Sequence, residues 1–139
     1  MRKRQLGTWV VCAIVIAAFV APATLLAQSE TATQFYQKYL TAFEKAKKIE
    51  DILPFMAAEN RKQAEQTPKD ERDKMFGMIK ILSHNNVKVL KEERAPDGKT
   101  ILTVEGIDSD KNKGTGKVTL VKEGNAWKIG EESWSTKVS

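Results

Sequence analysis

Histidine occurs once in this chain, at His84, and cysteine once, at Cys12. A histidine acting as a general base needs a pocket and a partner that orients its ring. His84 stands instead beside Asn85 and Asn86, where a helix is expected to stop, which reads as a surface or capping position. With one histidine and one cysteine, only carboxylates are left for a metal, and zinc rarely uses those alone. No metal site is expected. Asp108-Ser109-Asp110-Lys111-Asn112 opens like a calcium loop, but Lys113 and Thr119 occupy the positions that need Gly and Glu. A solvated hairpin loop is the better reading. The chain has no Ser-His-Asp set, no Gly-rich phosphate loop and no nucleotide fingerprint, so no cofactor is implied.

Glu131 is the carboxylate with the most to offer. Strict alternation from Ile129 places it on an oily face with Val118 and Ile129, where a raised pKa would suit an acid or base. The competing reading is that Gly130 marks a bulge which turns Glu131 outward and also moves Trp134. Tyr36 and Tyr39 can offer hydroxyls to a pocket, although aromatic residues at helical spacing usually form core with the hydroxyl at the rim. Met56, Met75 and Met78 suit an adaptable pocket or ordinary core filling.

The elements that must position these groups are legible. Thr115–Glu123 and Ala126–Trp134 alternate around Gly124-Asn125, a hairpin signal. Pairing across that turn sets Glu123 against Ala126, Lys122 against Trp127, Leu120 against Ile129 and Val118 against Glu131. One face then carries Val118, Leu120, Trp127 and Ile129 and needs a cover. Upstream, Phe35, Tyr36, Tyr39, Leu40 and Phe43 recur at helical spacing between Thr33 and Lys48. Pro54 interrupts the helical pattern beyond Lys48, and a second helix is expected from about Phe55 to Gln66. Thr67 and Pro68 read as the start of a third, with Asp70 reaching back as in a capping box. Met75, Met78, Ile79 and Leu82 mark its buried face, and it ends near Ser83. Strands are expected over Val87–Arg94 and Lys99–Ile107, joined by the Ala95-Pro96-Asp97-Gly98 turn. The fold class is thus α+β, three N-terminal helices packed on a curved four-stranded antiparallel meander.

The chain's 139 residues suit one domain. Arg2, Lys3 and Arg4 precede an unbroken apolar run from Val10 to Ala21, with small-residue cleavage sites at its end. This is the layout of a secretory signal peptide over residues 1–27. The run is short for a membrane span, though an uncleaved inner-membrane anchor stays open if the stretch is counted from Leu6 to Ala27. The net charge of +5 falls to +2 once those three basic residues are removed. Such a balance does not argue for nucleic acid. Residues 28–32 read as a short disordered lead, 33–135 as one domain and 136–139 as a tail. An exported chain without cysteine closes its core by packing alone.

The helix carrying Phe35, Tyr36, Tyr39, Leu40 and Phe43, and the final hairpin ending Ala126-Trp127-Lys128-Ile129, resemble the nuclear transport factor 2-like superfamily. In particular they look like its small exported bacterial members without an assigned activity. The chain departs from that pattern in having no strand between its second and third helices. The resemblance implies a cone-like fold with a pocket between the concave sheet face and the helices, holding an Asp, His or Tyr in enzymatic members. The pocket lining is expected from Tyr36, Tyr39, Phe43, Met75, Met78, Leu120, Trp127, Ile129 and Glu131. The leading expectation is a non-enzymatic periplasmic or extracellular domain that binds a small apolar ligand or an envelope protein, with a homodimer also open. The alternatives are a small isomerase- or cyclase-like enzyme using Glu131 and a tyrosine, which fails if Glu131 faces solvent, and a structural accessory domain.

Overall fold

The first helix, α1 (Ala32–Lys45), starts on a reciprocal cap. Thr31 Oγ1 accepts the Gln34 N–H at 3.1 Å, and Gln34 Oε1 accepts the Thr31 N–H at 3.0 Å, satisfying donors a helix leaves free. The computed structural model describes residues 29–136. The leader expected over residues 1–27 and the end of the tail lie outside the described residues. The ordered domain starts earlier than position 33. Ala32 is buried, and the Glu30 carbonyl accepts the Trp127 indole N–H at 2.9 Å.

α1 also ends earlier than the spacing predicts, at Lys45. Asp51 accepts the N–H groups of Lys47 at 2.9 Å and Lys48 at 3.2 Å. It offers these donors an alternative to the helical ladder, and the same bonds hold its carboxyl below the usual range. Two short 3-10 turns come next, Ile49–Asp51 and Leu53–Phe55, the second containing Pro54.

α2 (Ala58–Gln66) starts three residues later than expected, because Phe55 closes the second 3-10 turn and Met56 and Ala57 bond to the chain at Ile129 instead. Met56 bridges Ile129 in parallel, and the Ala57 N–H donates to the Ile129 carbonyl at 2.8 Å. The free end of α2 is met by Glu123, which accepts the Ala58 N–H at 2.7 Å and pairs with Arg61 at 3.1 Å. No strand separates α2 from α3 (Lys69–Leu82).

Two expectations for α3 fail. Pro68 is its capping residue with no side-chain bond, and the Thr67 hydroxyl donates backward to the Gln63 carbonyl at 2.9 Å. The apolar face is largely uncovered: Met75 is 41 % exposed, Met78 62 % and Leu82 69 %, while Phe76 is the buried side chain. Phe76 meets Phe43 edge-on at 6.2 Å and Arg72 pairs with Glu50 at 3.2 Å. Both contacts lie on one flank, so the helix rests on its side rather than on its apolar arc. No described helix is long and apolar enough to cross a membrane.

The sheet is an open antiparallel meander in the order β1 (Asn85–Arg94), β2 (Thr100–Ile107), β3 (Lys113–Glu123), β4 (Ala126–Thr136). Asn86 takes the left-handed conformation at φ 51° as the chain leaves α3, a conformation Asn tolerates. Leu102, Val104, Val118 and Leu120 are fully buried on the inner face, under Tyr36 and Tyr39 of α1.

Candidate functional site

The hairpin pairs as its turn predicts for four rungs: Glu123 with Ala126, Lys122 with Trp127, Val121 with Lys128, and Leu120 with Ile129. The register then shifts. Val118 faces Glu132 rather than Glu131, and Glu131 faces Thr119. Gly130 is therefore the extra residue of a bulge, and the alternation beyond it is inverted. Glu131 is exposed and leaves the face it was expected to share with Val118. Asn60 of α2 latches the bulge by donating Nδ2 to the Gly130 carbonyl at 2.8 Å and to the Ile129 carbonyl at 3.3 Å.

Glu132 thereby joins the inner face. Its carboxylate accepts the Trp134 indole N–H at 2.7 Å and the Tyr36 hydroxyl at 3.4 Å. Burial raises the Glu132 carboxyl above its ordinary value, and these two bonds act against the rise. By surface area Glu132 is nonetheless an exposed residue, so water screens much of this shift. Tyr36 and Tyr39 are raised further, first by burial and then by the Glu132 charge. Both hydroxyls remain protonated donors.

Trp134 also turns inward and stacks on His84, with ring centroids 4.0 Å apart and planes 9° from parallel. Three glycines make room for this pair. A Cβ on Gly106 would lie 2.9 Å from the His84 Cβ, one on Gly114 would collide with the His84 ring, and one on Gly116 would lie 2.8 Å from Trp134 Cδ2. His84 Nε2 lies 3.4 Å from the Thr136 hydroxyl. Far from being a surface cap, His84 is wedged between the glycine floor and the cavity.

That cavity has a volume of about 320 Å³. Its walls come from Tyr39, Leu40 and Phe43 of α1, Ile79 of α3, and, on β4, the stretch from Ile129 to Glu132 together with Trp134. A groove of about 500 Å³ adjoins it and shares Phe43, His84 and Val87.

Of the residues expected to line a pocket, Tyr39, Phe43, Ile129 and Glu131 border this cavity. Tyr36 is fully buried behind it and reaches the site through its hydroxyl. Leu120 and Trp127 belong to the closed core, and Met75 and Met78 point to solvent. Glu132, His84 and Trp134 were not among the expected lining. The signal that marks them is the run of glycines, Gly106, Gly114, Gly116 and Gly130. The first three clear space for rings, and the fourth changes the phase of β4. Among the described residues no group of potential ligands is placed to hold a metal.

The fold and site together define an open α+β sandwich of helices on a meander, with an aromatic cavity at one end. No family model matches the chain, and neither the curated proteins nor the solved structures gave a match.

Proposed function

We propose that the chain is an exported, non-catalytic binding domain that takes a small, largely apolar ligand into the cavity between α1, α3 and β4. The observation that carries this reading is the cavity wall: Tyr39, Leu40, Phe43, Ile79, Ile129 and Trp134 lie beside two carboxylates, Glu131 and Glu132, of which Glu132 is held by the Trp134 indole and the Tyr36 hydroxyl. Ligand sites are typically apolar concavities with a few placed polar groups. The resemblance to the nuclear transport factor 2-like superfamily supports the same placement. Export is supported by the basic start and the apolar run of residues 1–27.

Native mass spectrometry of the protein from its own exported fraction tests both parts. A chain beginning near Gln28 with an added small mass is the expected result. A bare chain that also leaves the fluorescence of Nile red unchanged would remove the ligand reading.

A second reading, a protein partner on α3, is favoured by the exposed Met75, Met78, Ile81 and Leu82. Light scattering of the wild type and of Met78→Lys decides whether that partner is a second copy. A monomer in both cases removes the homodimer.

A further inference from the structure

The cavity contains a carboxylate that no cation meets. Glu132 is held by two neutral donors, the Trp134 indole and the Tyr36 hydroxyl. Among the described residues, the ionisable side chains lining the cavity are His84, Glu131, Glu132 and Tyr39, with no lysine or arginine. Lys80 is the nearby cation of the adjoining groove, and its ammonium is engaged elsewhere. Its Nζ donates to the Phe43 carbonyl at 2.6 Å and to the Glu44 carbonyl at 3.2 Å. Glu132 is exposed as a residue, but on its cavity side its charge has no counter-ion, and a bound cation that fills the cavity and excludes water there would supply one.

The surroundings favour the same sign. Tyr39, Phe43 and Trp134 present aromatic rings to the cavity, and ring faces attract cations. One of these rings already does so, since Lys80 Nζ sits 4.6 Å from the Phe43 centroid. A volume of about 320 Å³ lies at the small end of ligand pockets, which run from about 300 to 1,000 Å³.

We propose that the cavity receives a small organic ammonium, with its charge on the Glu132 carboxylate and its apolar body against Tyr39, Phe43 and Ile129. This rests on the reading of the cavity as a ligand site and narrows it to one chemical class. Trp134 positions the carboxylate, and His84, stacked behind it, positions Trp134. A carboxylate or phosphate ligand would meet repulsion from Glu131 and Glu132. A neutral ligand of the same shape would leave the Glu132 charge unmet.

The test uses three probes on one carbon skeleton: phenylpropylamine, phenylpropanol and phenylpropionate. Each is titrated into the full chain at low salt, with tryptophan fluorescence and calorimetry as readouts. The amine is expected to bind about tenfold or more tighter than the alcohol, and the propionate weakest. Raising the salt should narrow the amine's advantage and leave the alcohol unchanged. In Glu132→Gln, which keeps the shape and an acceptor, the amine should fall to within about twofold of the alcohol. An amine no tighter than the alcohol in the wild type overturns the ammonium proposal and leaves the cavity as a ligand site. An amine preference that survives Glu132→Gln also overturns it. If none of the three binds, the cavity reading falls and the proposal falls with it.

Discussion

Gly116 and Gly77 allow one substitution, glycine to alanine, to be made with opposite consequences. A methyl at Gly116 would lie 2.8 Å from Trp134 Cδ2 and 2.9 Å from the Ser133 carbonyl oxygen. The carbonyl belongs to the paired strand and cannot retreat without breaking the ladder. The indole cannot retreat freely either, because His84 stacks on it at 4.0 Å and is itself seated on Gly106 and Gly114. Overpacking of this kind costs about 1–3 kcal/mol. A displaced indole also loses its 2.7 Å bond to Glu132, which places Gly116→Ala near the middle or top of that range, about 2–3 kcal/mol. At about 4–8 °C per kcal/mol for a domain of this size, Tm should fall by about 8–24 °C.

At Gly77, inside α3, an added Cβ meets nothing within 4 Å. Alanine there removes the entropic penalty of a helical glycine and gains about 0.5–1 kcal/mol. Urea unfolding monitored by tryptophan fluorescence, with a thermal scan by circular dichroism, measures both. The native emission of Gly116→Ala should also change, because the ring environment of Trp134 does. A Gly116→Ala protein as stable as the wild type would refute the packed floor beneath Trp134. Two changes of the same sign would refute the assignment of α3 as an exposed helix and Gly116 as a close approach.

Thr31→Ala removes the acceptor that caps α1 at 3.1 Å and should cost about 1 kcal/mol, read as a lower urea midpoint with an unchanged slope. Glu132 has its carboxyl raised above the ordinary 4.5, so its contribution to stability is fully present below that value and is lost as pH rises through the folded one. The stability of Glu132→Gln relative to the wild type should therefore increase from about pH 3 to pH 7, and a gap that stays flat across that range would refute the shift. Glu123 has the opposite sign: its bond from the Ala58 N–H, first among its causes, holds its carboxyl below 4.5. Its contribution is present above 4.5 and lost as pH falls through the folded value. Acid titration of Glu123→Gln should show a flatter loss of stability at low pH than the wild type does.

The order of elements was legible because it rests on local signals. Gly124-Asn125 set the first four rungs of the last hairpin, and the change of period at Asn86 marked where helix gives way to strand. The features that escaped depend on partners distant in the chain. The spacing of Met75, Met78 and Leu82 describes an apolar arc correctly, but periodicity does not say whether anything covers it. His84 reads as a helix stop because its stacking partner, Trp134, lies on another element. The two phases of β4 after Ile129 were both open at the level of residues. The choice between them is made by Asn60 and Ala57, which bind the carbonyls of Ile129 and Gly130 from outside the sheet. The early end of α1 has the same kind of cause, since Asp51 competes for its backbone donors.

The bulge at Gly130 gives β4 one residue more than its partner needs, so the strand carries a spare. Loss of Gly130 or of Glu131 by deletion would return the pairing to strict alternation and still leave Glu132 and Trp134 on the inner side. Loss of Ser133 would do the reverse and turn Trp134 out of the fold. A lineage carrying this hairpin can therefore gain or shed length at one point of the strand without exchanging its wet and dry faces, and a few positions further on it cannot.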